Sequence, residues 1–382
     1  MSLTWLLFLA LGFGLAYANG ANDVSKGIAT LVGSGVTSYR RAILWGSAWT
    51  AAGGLLGAVL ATAMVATFGN GLLASGTMPT LPAVAATLFG AGAWVLAATR
   101  TGLPVSTTHA IVGSLVGVAA VAYGVEGVRW SALGGKIVLP LLVSPLASLL
   151  LVVLTLRVWC ADATAVSPGT DCLCAELRPA TVALASMHRG APAAALVEGG
   201  AHLRVVTGES HACAAEHPRA LRLKLDHLHW LTSGATSVAR GMNDAPKIVA
   251  LILPAAALGG QGAVSVSASF LVITSAMVAG SVIAGLRVTR VLAERVTAMD
   301  HREGFAANLV TATLVTAGAA LGLPVSTTHV SSGGIIGAGT QRRAGDLNKK
   351  TVRGMALAWV VTLPASAMLG VLAYAVARVF RG

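Results

Sequence analysis

Ten apolar runs alternate with polar connections along the chain, in two series of five. The first series lies at 3–33, 42–66, 82–99, 104–121 and 137–159, and the second at 228–253, 264–285, 304–321, 325–340 and 354–378. A membrane crossing needs about 20 residues. Most runs are therefore long enough to span a bilayer, whereas 104–121 and 325–340 are short and are predicted to be half-helices or re-entrant hairpins. This pattern predicts an all-α polytopic membrane protein.

One sizeable polar segment, residues 160–227, separates the two series. Three short runs lie between its glycines, which is the pattern of short strands: Thr181–Ala185, Ala193–Val197 and His202–Val206. We therefore expect a small β-rich insert between two membrane repeats. The predicted division is 1–159, 160–227 and 228–382.

Two polar strings occur twice, in the same order. Asn22–Lys26 (Asn-Asp-Val-Ser-Lys) returns as Asn243–Lys247 (Asn-Asp-Ala-Pro-Lys), and Gly102–His109 returns unchanged as Gly322–His329. The offsets of 221 and 220 residues indicate an internal duplication. Because each series has five runs, the second half is expected to enter the membrane in the opposite orientation. Polar strings repeated inside apolar runs are typical of a transporter whose site lies between inverted repeats.

Composition and charge agree with a membrane location. The chain is 55% hydrophobic and 10% charged, against about 25% charged in soluble domains. With the N-terminus outside, the connections 67–81 and 254–263, which hold no charged residue, also fall outside, and most basic residues fall inside. These are Arg40, Arg41, Arg100, Arg287, Arg290, Arg295, Arg302, Arg342, Arg343, Lys349, Lys350 and Arg353.

Five charged residues would lie outside against this rule: Glu126, Arg129, Lys136, Arg378 and Arg381. We nevertheless predict a multi-pass protein of the inner or plasma membrane, with both termini outside and the 160–227 loop in the cytoplasm. The net charge of +12 does not indicate nucleic acid, because the basic residues lie in the connections between apolar runs.

The repeated strings carry the candidate chemistry. An aspartate inside a membrane is costly and normally signals an ion or a partner charge. A helix that breaks in the membrane is tolerated only beside a polar cavity, and we expect such breaks at Gly20–Asp23 and Gly241–Asp244. Pro104 and Pro324 are well placed to begin helices whose Ser-Thr-Thr hydroxyls and free N–H groups converge on an oxyanion. Two such N-termini would form an anion site at the membrane midplane.

Each string also has a plainer interpretation. Asn-Asp can merely cap a helix, and membrane Ser and Thr often bond back to the preceding turn. The duplication at matched positions favours the site. His109 and His329 could be ligands, or could tie the loops to a backbone carbonyl.

The motifs resemble the inorganic phosphate transporter (PiT) family over both membrane halves, through Tyr17–Val24 (Tyr-Ala-Asn-Gly-Ala-Asn-Asp-Val), Gly33-Ser34-Gly35 and both Ser-Thr-Thr-His copies. The resemblance implies a dimeric, inverted-repeat carrier of inorganic phosphate, driven by sodium or protons. It also implies that the Asn-Asp and Ser-Thr-Thr residues form the substrate and cation sites. Carried over, these are Asn22, Asp23, Ser106, Thr107, Thr108, Asn243, Asp244, Ser326, Thr327 and Thr328.

Three cations depart from the family pattern. Lys26 and Lys247 stand where the family usually has Asn three residues after Asp, and Arg240 stands where it usually has His. An ammonium three residues after each Asp lies on the same helical face and could neutralise the carboxylates in place of sodium. We therefore predict charge-compensating or coupling roles, with proton rather than sodium coupling. Alternatively, the lysines extend to the surface as solvated flanks.

The cysteines of the insert offer a zinc site at Cys172, Cys174 and Cys213 as an alternative to ordinary reduced cysteines. Their spacing is not that of a standard zinc knuckle, so reduced cysteines are favoured. We expect no metal and no other cofactor.

The predicted function is secondary active transport of inorganic phosphate. Sulfate or another tetrahedral oxyanion is the alternative substrate, but monohydrogen phosphate keeps a proton that an Asp can accept, and sulfate does not. A membrane anion sensor that signals through the 160–227 insert is an alternative of another class. No hydrolytic, redox or nucleotide motif is present, so we do not expect an enzyme. A channel is disfavoured because duplicated midplane sites suit alternating access.

Overall fold

The structure, a computed structural model, describes residues 3–60, 62–69, 71–161, 172–184, 195–208, 215–216, 220–258, 266–342 and 346–379. The chain divides into two compact units. One is formed by Met1–Arg157 together with His229–Gly382, and the other by Val158–Leu228. The larger unit is helical and the smaller one contains a sheet.

Helices account for most of the described residues of the larger unit. Those of the first half are α1 (Leu3–Gly33), α2 (Tyr39–Leu60), α3 (Thr62–Gly69), α4 (Leu81–Thr101), α5 (Thr107–Tyr123), α6 (Trp130–Ala132) and α7 (Leu139–Ala161). A 3₁₀ turn at Val125–Gly127 precedes α6, and a π-helical segment at Leu133–Val138 joins α6 to α7. Those of the second half are α8 (Leu225–Leu258), α9 (Val266–Ala284), α10 (Leu286–Glu294), α11 (His301–Ala320), α12 (Thr327–Thr340) and α13 (Lys349–Val379).

The predicted fold class is confirmed, since every predicted apolar run contains a helix. Within the described residues, five helical stretches are long and apolar enough to cross a membrane: Tyr39–Leu60, Leu81–Thr101, Trp130–Trp159, Val266–Ala284 and Lys349–Val379. The run 42–66 is divided between α2 and α3, and α10 was not predicted. α10 is amphipathic, with Val288 and Leu292 buried on one face.

The predicted helix breaks at the Asn-Asp motifs are wrong. α1 and α8 run through Gly20–Asp23 and Gly241–Asp244 as continuous helices. The polar side chains of these motifs find partners across the helix interfaces, so the backbone can keep its own hydrogen bonds. Pro246 lies inside α8; because it has no N–H, it removes one helical hydrogen bond without unwinding the helix.

The chain leaves helical conformation elsewhere, directly before each Ser-Thr-Thr triplet. Residues 103–106 and 323–326 are non-helical, and they follow Gly102 and Gly322, whose φ angles are +78° and +66°. A proline also restricts the residue before it to extended conformations, which stops α4 and α11 from continuing. The repeated Gly-Leu-Pro-Val string therefore ends one helix and positions the start of the next.

Small residues allow the two halves to pack closely. A Cβ atom added to Gly20 of α1 would lie 1.9 Å from the Met277 carbonyl oxygen of α9, and one added to Gly241 of α8 would lie 2.5 Å from the Thr50 carbonyl oxygen of α2. Each Asn-Asp helix thus packs against a helix of the other half through the glycine that precedes its motif. This backbone-to-backbone approach is the usual use of glycine between membrane helices.

The smaller unit contains an antiparallel sheet, which confirms the β-rich insert. Its strands are β1 (Cys172–Leu184), β2 (Ala195–Gly208) and β3 (Leu221–Lys224), in the order β2-β1-β3. The register of β1 against β2 shifts between Pro179 and Ala180. Of the runs predicted at 193–197 and 202–206, residues 195–197 and 202–206 lie in the single strand β2, and residues 193–194 lie outside the described residues.

The cysteines differ from the favoured interpretation. Cys172 and Cys174 are buried with their Sγ atoms 4.0 Å apart, and Cys172 is free. Cys174 takes part in a disulfide, so the interpretation of ordinary reduced cysteines is wrong for this residue. Within the described residues no three His, Cys, Asp or Glu side chains are grouped to hold a metal, and Cys213 lies outside those residues.

Candidate functional site

Two aspartates that are far apart in the sequence share one amide. The Asn19 Nδ2 atom lies 2.9 Å from Asp23 Oδ2 and 3.1 Å from Asp244 Oδ2, with the Thr107 hydroxyl also at 3.1 Å. All four side chains are buried. The side chains of α1, α5 and α8 therefore meet in one polar cluster. Two buried carboxylates so close together repel each other unless nearby cations neutralise them.

Each carboxylate has its own lysine. Lys26 Nζ lies 2.9 Å from Asp23 Oδ1, and Lys247 Nζ lies 3.2 Å from Asp244 Oδ1. The lysine side chains are 0% and 1% exposed, so they do not extend to the surface as solvated flanks. The i, i+3 spacing on a continuous helix produces this pairing.

Further bonds hold the ammonium groups in place. Lys26 Nζ donates to the Asn22 carbonyl oxygen at 2.7 Å and to Asn22 Oδ1 at 2.6 Å. Lys247 Nζ donates to Thr108 Oγ1 at 2.7 Å. Lys247 therefore joins the Asn-Asp motif of the second half to the Ser-Thr-Thr triplet of the first.

Arg240 is buried in the cluster without hydrogen-bond partners for its guanidinium. Its side chain is 1% exposed, and none of its three guanidinium nitrogens has a hydrogen-bond partner in the described part of the chain. The guanidinium interacts electrostatically with both Asp23 and Asp244. With two lysines already paired to the two aspartates, Arg240 leaves one positive charge in excess. A guanidinium presents five N–H donors in a geometry that matches oxyanions.

The Ser-Thr-Thr triplets make different contacts in the two halves. In the first, Thr107 Oγ1 donates to Asp23 Oδ2 at 3.2 Å, and Thr108 accepts from Lys247. In the second, Thr328 Oγ1 donates to the Val105 carbonyl oxygen at 2.8 Å, and Thr327 is buried in the first turn of α12. The first triplet thus contacts the charged cluster directly, whereas Thr328 binds backbone.

The serines of both triplets have a local role. Ser106 and Ser326 are the N-cap residues of α5 and α12. The hydroxyl of each serine accepts a hydrogen bond from the backbone N–H of the histidine three residues later, at 3.2 Å. Such caps satisfy one of the free N–H groups of a helix N-terminus. The predicted role of these serines as substrate ligands stays a prediction.

The motif asparagines hold the segments before the triplets. Asn22 Nδ2 donates to the Leu103 carbonyl oxygen at 3.0 Å, and its Oδ1 accepts from the Val105 N–H at 3.2 Å. Asn243 Nδ2 donates to the Val325 carbonyl oxygen at 3.0 Å and to Asp244 Oδ1 at 2.9 Å. Each Asn-Asp motif is therefore bonded to the non-helical segment of its own half, which positions the triplet beside it.

The two histidine rings pack against each other. The ring centroids of His109 and His329 are 4.4 Å apart, and the Trp359 ring lies 4.2 Å from His329 on centroids. His329 Nδ1 is 3.3 Å from the Leu141 carbonyl oxygen. This packing brings the N-terminal turns of α5 and α12 together and favours the structural role over a ligand role.

Sequence reasoning missed Asn19 and Thr99. Asn19 precedes Asp23 by one helical turn inside an apolar run, and a polar residue in that place could have indicated a site residue. It also stands 221 positions before Arg240, its counterpart in the duplication. Thr99 accepts a hydrogen bond from Asn22 Nδ2 at 3.0 Å. A single threonine in a membrane helix gives no comparable signal.

Comparison with known proteins shows the family of this chain. A sequence model described as "Phosphate transporter family" matches residues 19–370, a range that contains every residue described above at the site. The chain belongs to the phosphate transporter family. It is thus a multi-pass membrane protein of a transporter family and not of an enzyme class.

Individual members of the phosphate transporter family resemble the whole chain. A Mycobacterium bovis protein named "Probable low-affinity inorganic phosphate transporter" is 28% identical over 99% of this chain and 78% of its own length. The Arabidopsis thaliana "Inorganic phosphate transporter 2-1, chloroplastic" is 28% identical over 97% of this chain and 71% of its own length. A solved structure named "The sodium-dependent phosphate transporter" superposes with a TM-score of 0.76 at 21% identity, covering 99% of this chain and 100% of the other. At that identity the likeness shows a common fold.

Proposed function

We propose that this protein is a secondary active transporter of inorganic phosphate and that phosphate binds at the buried cluster. The observation that carries the proposal is Arg240, a guanidinium that is 1% exposed and has no hydrogen-bond partner in the described structure. Burying a charged group without hydrogen-bond partners is costly, and an oxyanion would accept hydrogen bonds from its donors. The names of the Mycobacterium bovis and Arabidopsis thaliana relatives support phosphate as that oxyanion.

Both halves contribute to the proposed site. Asp23 and Thr107 come from the first half, and Arg240, Asp244 and Lys247 come from the second. A substrate held between two repeats at the membrane midplane is exposed to either side when one repeat moves against the other. This arrangement supports alternating access between inverted repeats.

The aspartates favour phosphate over sulfate. Monohydrogen phosphate retains one donor proton, which a carboxylate can accept, whereas sulfate at neutral pH has none. Asp23 Oδ2 and Asp244 Oδ2 are the oxygens joined through Asn19, so a protonated oxyanion that displaces Asn19 would meet two acceptors.

We propose proton coupling because each carboxylate already has a resident cation. In the Asp23–Lys26 and Asp244–Lys247 pairs the charges are 2.9 Å and 3.2 Å apart, which leaves no net negative charge for sodium to neutralise. An aspartate that gains a proton would release its lysine to the anion. The solved relative is named as sodium-dependent, so sodium coupling is the outcome that an experiment has to distinguish.

Uptake by the purified protein in liposomes tests the proposal. We expect radiolabelled phosphate to accumulate when all sodium is replaced by choline and the outside is made acidic, and we expect excess sulfate not to compete. Protein-free liposomes and the Asp23→Asn variant are the controls. Phosphate binding without accumulation would instead indicate a sensor, and uptake that saturates with sodium and stops in choline would show sodium coupling.

A further inference from the structure

A basic groove lies beside the buried cluster. It has a volume of about 950 Å³. Among the described residues, its lining includes Arg100, Arg287, Arg290 and Arg295 but no acidic residue. All four arginines are exposed, and none forms an ion pair within the described part of the chain. Four positive charges around one concave surface create a local field that attracts anions.

Local contacts hold these arginines at the groove. Arg287 Nη1 donates to the Arg100 carbonyl oxygen, and the Arg290 guanidinium lies 5.7 Å from the centre of the Tyr39 ring. Glu294, which lies on α10 together with Arg287 and Arg290, accepts a hydrogen bond from the Tyr39 hydroxyl. α10 buries its apolar face, so its arginines are presented on the opposite side.

One side-chain amide separates the groove from the cluster. Thr99 lines the groove and is 4% exposed, and its Oγ1 accepts from Asn22 Nδ2 at 3.0 Å. Asn22 Oδ1 in turn accepts from Lys26 Nζ at 2.6 Å. The Arg287 side chain also packs on the turn at Gly102: its Cγ atom lies 3.5 Å from the position that a Cβ atom on Gly102 would occupy. An anion in the groove is therefore close to the segment that leads to the first triplet.

We infer that this groove is a second anion site, which binds a phosphate group and serves as the vestibule through which phosphate reaches or leaves the buried cluster past Asn22 and Thr99. The inference rests on the proposed function. Free inorganic phosphate is the favoured source, because the buried wall of the groove is hydrogen-bonded to a site residue. The headgroup of an anionic lipid offers the same chemistry, since Ile283 and Leu286 at the groove are 73% and 39% exposed.

Arginine modification tests binding without requiring transport. The protein in phosphatidylcholine is treated with phenylglyoxal, which reacts with arginine, and peptide mapping measures the rates at Arg287 and Arg295. Phosphate at about ten times its dissociation constant should slow both rates about tenfold, while exposed Arg353, outside the groove, reacts unchanged. Protection by phosphatidylglycerol but not by phosphate would identify a lipid headgroup. Protection by neither would overturn the inference.

Exchange kinetics test the vestibule. In phosphatidylcholine liposomes at low salt, the double variant Arg287→Gln/Arg295→Gln should raise the KM for phosphate–phosphate exchange about tenfold at unchanged kcat. The difference should shrink in high salt, because screening shortens the reach of the charges, and Arg287→Lys/Arg295→Lys should restore the KM. The control Arg40→Gln/Arg353→Gln removes the same charge outside the groove.

An unchanged KM in the groove variant, or an equal rise in the control, would overturn the vestibule. If the wild-type protein exchanges no phosphate, the proposed transport function fails; protection of Arg287 and Arg295 from phenylglyoxal still decides whether the groove binds the anion.

Discussion

Arg240→Met should make the substrate-free protein more stable while it abolishes phosphate transport. The wild-type guanidinium is buried without a hydrogen-bond partner in the described structure. A buried charge without hydrogen-bond partners carries a desolvation cost, which an apolar side chain removes, and the unbranched Met side chain adapts well to irregular space. The free energy of unfolding without phosphate should therefore rise.

The affinity for phosphate, in contrast, should fall in Arg240→Met. A guanidinium that donates two hydrogen bonds to phosphate contributes about 1.5–3 kcal/mol for each, because they involve charged groups. Losing both corresponds to about 3–6 kcal/mol, or about 10²- to 10⁴-fold in the dissociation constant. No purely structural role of Arg240 would couple a gain in stability to a loss of this size.

Thermal unfolding in detergent, with and without phosphate, measures both effects. Phosphate at about 100 times the wild-type dissociation constant should stabilise the wild-type protein by about 2.7 kcal/mol and leave Arg240→Met nearly unchanged. Arg240→Lys keeps the charge but loses the planar fork, so it should retain part of the phosphate effect. Arg353→Gln, an exposed change, is the control for altered net charge.

The reasoning is refuted if Arg240→Met is clearly less stable than the wild-type protein in the absence of phosphate. It is equally refuted if phosphate stabilises the variant as much as the wild type. Either result would mean that the guanidinium supports the fold through its interaction with Asp23 and Asp244 and does not bind the substrate.

Three further predictions concern the cluster. Asp23→Asn or Asp244→Asn should abolish phosphate uptake in a protein that still elutes as a folded species, because each carboxylate pairs with a buried lysine; wild-type uptake rates would contradict this. Thr108→Val removes the hydroxyl that accepts from Lys247 and should weaken apparent phosphate affinity at least about tenfold, whereas Thr108→Ser should not; equal affinities in titrated uptake would show that Thr108 only packs. Lys26→Asn with Lys247→Asn should abolish uptake in choline, since the carboxylates lose their cations; uptake that is undiminished in choline would rule out this role for the lysines.

Much of the architecture could be predicted from residue pattern alone. Apolar runs of membrane length predicted the helices, and the duplicated strings indicated which side chains belong together, because an isolated aspartate in an apolar run is too costly to stand without a partner. The i, i+3 spacing of Asp23 with Lys26, and of Asp244 with Lys247, likewise indicated the ion pairs observed. These are local or repeated features, and local spacing is enough to predict them.

Contacts between distant segments could not be predicted from local spacing or from the duplication. The sequence predicted breaks at Gly20–Asp23 and Gly241–Asp244, but the helices stay continuous. The lysines satisfy the carboxylates within each helix, and Asn19 and Thr107 join them to side chains of other helices.

The sequence by itself determined which elements form and which residues the duplication pairs, because helix length, apolar periodicity and i, i+3 spacing are set along the chain. Only the tertiary structure decided that Asn19 joins two carboxylates, that Arg240 stays without a hydrogen-bond partner in the described structure, and that four arginines surround one groove. The physical reason is that hydrogen bonding and charge compensation depend on distances between atoms of different helices. Those distances are set by how closely small residues such as Gly20 and Gly241 let the helices approach.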